Sequence, residues 1–220
     1  MLSTYDDVTL QNIQTKTERL RDVSDIDIRT QLHLWQEILH FRRQCIRDRR
    51  ISEILKEFSG YFNPLLIFEE VKMTMSVDLS AVVRRQILIL LDKMIKVPIF
   101  ITDSLVIQLI KLLCRHFDET IHHTLCSSEP STPYPTLIFA NDRIYIYVDF
   151  ILIILTTLPD DVLGLLIGMY SVFELNFNRH SCAIRFLYAI LHNDKRFLSN
   201  TMHILIKEKD IDIINETNRQ

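Results

Sequence analysis

Hydrophobic residues gather most densely between Ile144 and Phe173, a stretch that reads IYIYVDFILIILTTLPDDVLGLLIGMYSVF and whose charged residues are Asp149, Asp160 and Asp161. The apolar run from Ile144 to Leu158 is shorter than the about 20 residues a bilayer crossing needs, and it stops at Pro159-Asp160-Asp161. The pattern therefore predicts two buried helices in antiparallel order, with no membrane span. Pro159 separates them, because it cannot donate a helical hydrogen bond and disfavours the α region at Leu158. Asp160 or Asp161 is the expected cap of the second helix. Asp149, set between Val148 and Phe150, must find a partner or an exposed edge.

Helical spacing organises most of the remaining chain. A helix is predicted over Ile28–Cys45, capped by Ser24 or Asp25, with Leu32, Trp35, Ile38, Leu39 and Cys45 on its apolar stripe and Trp35 in the core. Ile51, Ile54, Leu55 and Phe58 mark a short helix ending at Gly60, and Pro64 opens another that reaches Met75. Val82, Val83, Ile87, Leu90, Leu91 and Met94 share one face of a helix that starts at Asp78 or Ser80 and is closed by Pro98. Thr102-Asp103 opens the next, which is predicted to run to Cys126. SSEPSTPYP, residues 127–135, has three prolines and reads as a linker. Thr132-Pro133 has the form of a proline-directed phosphorylation site.

Residues 136–148 admit two structures. Alternating Ile and Tyr around Asn141-Asp142 fit a β-hairpin. The pattern also runs into FILIILTTL without an evident turn residue, which is long for a strand. The length argument favours a helix capped by Asn141. Helices from Val162, over Cys182–Leu191 and over Phe197–Lys207 complete the set, and Gly164 and Gly168 would permit close helix packing.

The expected organisation is a flexible arm (1–24), a helical half (25–126), a linker (127–140), a second helical half with buried central helices (141–207) and a polar tail (208–220). Successive helix pairs span roughly 35 to 45 residues, the period of two-helix repeat units. In helix number and hairpin spacing the chain resembles the Armadillo/HEAT-like superfamily over about residues 26–207. That resemblance implies an all-α, irregular right-handed solenoid of about nine helices, and a scaffold that binds a protein segment. The alternative is a compact helical bundle, similar to Bcl-2-like folds with a peptide groove.

Composition narrows the function. Of 220 residues 48% are hydrophobic and only three are Gly, which argues against glycine-built phosphate loops. The net charge is −3, so no whole-molecule field draws nucleic acid or anionic lipid. The N-terminal residues are too polar for a secretory signal, and Cys45, Cys114, Cys126 and Cys182 form no CxxC. An intracellular setting follows, nuclear or cytoplasmic, with core thiols.

Candidate chemistry is sparse. Cys114, His116, His122, His123 and Cys126 are suitable zinc donors, but on one helix they point in different directions. Cys182 and His180 are two residues apart and diverge, and Asp160-Asp161 already serves a turn. No catalytic residue, metal site or cofactor is expected. The concentrated charge lies at RRQCIRDRR, residues 42–50. Arg43, Arg47 and Arg50 share one helical face there, flanked by Arg42 and Arg49. This ridge suits an acidic or amphipathic segment of a protein partner, or nucleic acid as the weaker reading. The functional expectation is a non-enzymatic interaction scaffold within a larger complex.

Overall fold

The structure, a computed structural model, describes residues 6–21, 26–94, 103–141, 143–178 and 180–212. It corrects the fold class. A four-stranded sheet interrupts the helices, so the chain is mixed α/β, and neither a HEAT-like solenoid nor an all-helical bundle accommodates it.

The sheet is built from the stretch whose pattern was ambiguous. Strand β1 (Leu125–Cys126) pairs in parallel with β2 (Thr136–Ala140), which pairs antiparallel with β3 (Arg143–Val148). β3 in turn pairs antiparallel with β4 (Ile151–Thr156). Ile144, Ile146 and Val148 are buried while Arg143, Tyr145 and Tyr147 are less so, the period of two that a half-covered strand requires. The expected helix over Arg143–Leu158 fails because a two-residue turn, Asp149-Phe150, divides it. Both residues hold positive φ, 51° and 63°, as a tight hairpin of matching twist demands. Asp149, the acid without an evident role in a helix, occupies this turn, and its N–H donates to the carbonyl of Pro133 at 2.7 Å.

The helices before the sheet are α1 (Asp7–Arg21), α2 (Ile28–Glu37), α3 (Leu39–Asp48), α4 (Ile51–Glu57), α5 (Pro64–Met75), α6 (Leu79–Met94) and α7 (Leu105–His116). After it come α8 (Pro159–Val172), α9 (Cys182–Leu191) and α10 (Asn200–Glu208). Helix α1 lies within the segment expected to be an arm and buries Thr17 and Leu20. The expected Ile28–Cys45 helix is broken at Ile38 into α2 and α3, and its cap is Asp27, which accepts from the N–H groups of Arg29 and Thr30. Ser24 and Asp25 lie outside the described residues, as do Pro98, Thr102, Asp142 and the tail beyond Asp212.

Helix α8 is the centre. Val162 to Val172 are all buried, and α8 packs against α5, α6, α7, α9 and β3. A Cβ on Gly168 would meet Val71 and Ile67 at 3.4 and 3.5 Å, so this glycine sets the approach of α5. Pro159 stands at the first helical position, with Leu158 as the unassisted cap in place of the expected aspartate. Asp161 instead accepts from Arg84 at 2.8 Å and from the Ser80 hydroxyl at 3.3 Å, tying α8 to α6. Among the described residues no helix is long and apolar enough to cross a membrane.

Helix α7 ends ten residues before the expected Cys126. Asp118 adopts φ 54°, Glu119 N–H reaches the carbonyl of Cys114, and Asp118 N–H that of Arg115. These are the paired bonds of a Schellman stop, usually made with glycine. The same pair of bonds recurs at Asn193 and at Asp210, each with positive φ. Polar residues thus do the work of the missing glycines.

Candidate functional site

The basic ridge is taken apart by the fold. Arg42 is fully buried, its guanidinium 3.3 Å above the Trp35 ring, and it donates to Glu70 (2.7 Å), to Tyr61 and to the carbonyl of Trp35. Arg43 and Arg47 do share a face, and that face meets the C-terminal end of α8. Arg43 donates to the carbonyls of Ser171 and Val172 and to Glu174 at 2.6 Å. Arg47 donates to both oxygens of Glu174, whose carboxyl these arginines hold below its usual range. Glu174 itself sits at φ 49°, a left-handed position that the two arginines clamp. Arg49 pairs with Glu57, and Arg50 is exposed. Charges met within the chain hold α3 to α8. The geometry makes this ridge an internal latch before it can be a landing surface.

The cysteine–histidine set is scattered. Cys114 is buried in α7, its thiol pushed up to about 12 by burial, while His116 and His122 are exposed. His123 is half-buried, and Cys126 in β1 has its sulfur 2.9 Å from the carbonyl of His122. Among the described residues no three His, Cys, Asp or Glu side chains converge on a metal position.

Two polar groupings invite chemistry and supply poor geometry for it. Ser171 Oγ lies 3.1 Å from His192 Nε2. A serine–histidine pair needs a poised base and an orienting acceptor on the other ring nitrogen. Burial pulls His192 down to about 4, and its Nδ1 has no hydrogen-bond partner. Cys182 begins α9, where the helix dipole and Arg185 would favour a thiolate. The Glu119 carboxylate already occupies that helix end, accepting from the N–H groups of Cys182 and Ala183, and burial together with Glu119 raises the thiol.

The surface left without an internal partner is β4 and its two flanks. Phe150, Leu152, Leu155 and Leu158 are 56, 37, 48 and 60% exposed. No charged residue and no proline lies between Phe150 and Leu158. Strand β4 is the sheet edge, and no backbone hydrogen bond from beyond β3 reaches Ile151–Thr156 among the described residues. Natural edges are normally blunted by charge, proline or great brevity, and this one has none of the three. Past Leu158 the apolar surface continues into a cleft of about 270 Å³ lined by Leu88, Leu105, Val106 and Pro159.

Phe150 is the informative residue. A bulky side chain at positive φ is an outlier, and such strain costs of order 1–3 kcal/mol and concentrates where a site needs it. Burial does not explain it, since more than half of the residue faces solvent. Sequence reasoning missed this site by counting FILIILTTL as helix interior. The available signal was nine consecutive residues without a charge following a lone aspartate. No known protein family, no curated protein and no solved structure matches the chain.

Proposed function

We propose that the chain is a non-enzymatic protein-interaction module that binds protein through the β3–β4 hairpin and the edge of β4. The observation that carries this reading is Phe150, held exposed in a left-handed turn position where asparagine or glycine would be less strained. Aromatic anchors flanked by apolar neighbours form the energetic centres of interfaces. Leu152, Leu155 and Leu158 supply those neighbours, and an unpaired strand edge offers main-chain hydrogen bonds to an extended segment. The surface places an uncharged apolar segment as the binding partner, in preference to the acidic one suggested by the arginines.

The test is affinity capture from nuclease-treated extract with wild type and Phe150→Asn, a substitution suited to the turn. The expected result is a discrete protein, another copy of the chain included, held by wild type and lost by the variant. Equal capture by a folded Phe150→Asn protein overturns the assignment of this surface. Capture that nuclease abolishes replaces it with a nucleic-acid interface.

A further inference from the structure

The geometry points to a second copy of this chain as the occupant of the β4 edge, paired antiparallel about a twofold axis between Ile153 and Ile154. This inference rests on the interaction surface proposed above and names its partner.

A β-bulge carries the argument. Ile146 pairs with Ile154 and Tyr147 with Leu152, so Ile153 is the extra residue in β4. Consequently Ile153 and Ile154 are both buried, whereas Leu152 and Leu155 on either side are exposed. Ile151 stands opposite buried Val148, and Thr156 opposite buried Ile144. Read along β4, the residues face in, out, in, in, out, in. That order is the same in both directions.

Residues directly opposite in an antiparallel pair project to the same face of the sheet. A regular alternating strand of six residues, paired with itself end to end, would set every inward residue against an outward one. The bulge removes that conflict. With Ile151 opposite Thr156 of the second copy, Leu152 meets Leu155 and Ile153 meets Ile154, each on a matching face. Phe150 then falls opposite Thr157, diagonal to Leu158, within reach of a ring. The four exposed apolar side chains of each copy thereby cover one another.

Charge is compatible as well. In this register Asp149 falls opposite Leu158, so like charges do not meet across the axis. The product is an eight-stranded sheet whose remaining edges are the two β1 strands, each only two residues long. The four side chains and the strand backbone amount to roughly 1,000 Å² over both copies, below the about 1,600 Å² of a standard stable complex. The dimer is therefore weak and depends on concentration.

Sedimentation equilibrium of the full chain from low micromolar to about 1 mM tests this, with L152K, L155E and the double variant L152K/L155E. Each single change sets a charge against a leucine in both symmetry-related contacts and is expected to weaken the dimer at least tenfold. The double variant sets opposite charges against each other twice and is expected to recover most of that loss, a recovery that general damage to the surface would not give. A wild-type chain that stays monomeric throughout overturns the inference, as does a dimer that the single variants leave unchanged. If the chain is monomeric but L155E loses a captured protein in extract, the β4 surface stands and its occupant is a different protein. If L155E loses neither dimer nor captured protein, both readings fall.

Discussion

Arg42 lies flat on Trp35, its guanidinium carbon 3.3 Å from the ring centroid, and neither side chain is exposed to solvent. A buried guanidinium survives only with its donors answered. Glu70, itself fully buried, accepts from two of its nitrogens, and the Trp35 carbonyl takes another bond. Trp35 is fixed in turn by its indole N–H on the carbonyl of Leu66, 2.9 Å away, and by Gly60, whose missing Cβ leaves room for the ring. Removing one member leaves a charge without its partner. Arg42→Ala is expected to destabilise the fold by about 3–5 kcal/mol, measured as a lower urea midpoint. Arg42→Met/Glu70→Leu, which removes both charges, should cost clearly less than the sum of the single changes.

Acid should unfold the protein through His192 before the carboxylates titrate. Burial depresses its folded value to about 4 from an ordinary 6.5. The unfolded chain therefore binds the extra proton first, and stability is fully present above pH 6.5 and lost as pH falls toward 4. At about 1.4 kcal/mol per unit the loss approaches roughly 3 kcal/mol. Glu174 and Asp194, whose values are lowered by their arginines, contribute stability that is lost only at more acidic pH. Denaturant midpoints measured between pH 7 and 4 should slope downward for wild type and lie much flatter for His192→Gln. Parallel curves for the two would assign the acid sensitivity elsewhere.

The parts of this fold that could be read from sequence are those where a single local rule decides. Pro64 at the start of α5, the apolar stripe of α6, Pro159 before α8 and the glycines of α8 each have one mechanism, and the structure places them accordingly. The sheet was hidden because strands covered on one face and apolar on the other lose much of their alternation. It was hidden again because Phe150 disguises a turn that asparagine or glycine would have announced. At the ridge, helical spacing correctly sets Arg43 beside Arg47, but their shared carboxylate, Glu174, is 127 residues from Arg47. No local pattern reports a partner at that distance.

Cys182 should become reactive when Glu119 loses its charge. The thiol stands at the start of α9, beside Arg185, in surroundings that would ordinarily favour the thiolate. Burial is the larger cause of its raised value and the Glu119 carboxylate the next. Glu119→Gln keeps the side-chain shape while removing the negative charge, so the thiol value should fall and alkylation at pH 8 should accelerate several-fold. The same change weakens the cap that Glu119 provides to α9, at a cost of about 1 kcal/mol. Peptide mapping after brief alkylation separates Cys182 from the buried Cys45, Cys114 and Cys126. An unchanged rate at Cys182 would mean that burial alone governs this thiol.

Phe150→Asn should make the isolated protein more stable while abolishing its interactions. The wild-type residue holds φ 63° in a two-residue turn whose preferred occupants are asparagine, aspartate and glycine. Because Phe150 is 56% exposed, its replacement removes little core packing and relieves the backbone, a gain of about 1 kcal/mol. Thermal unfolding at low protein concentration, where pairing through β4 is negligible, is the appropriate measurement. A higher melting temperature there, combined with loss of capture, identifies a residue retained for binding at the expense of folding. A lower melting temperature would instead show that the ring stabilises the hairpin, and the strain at Phe150 would then have a structural cause.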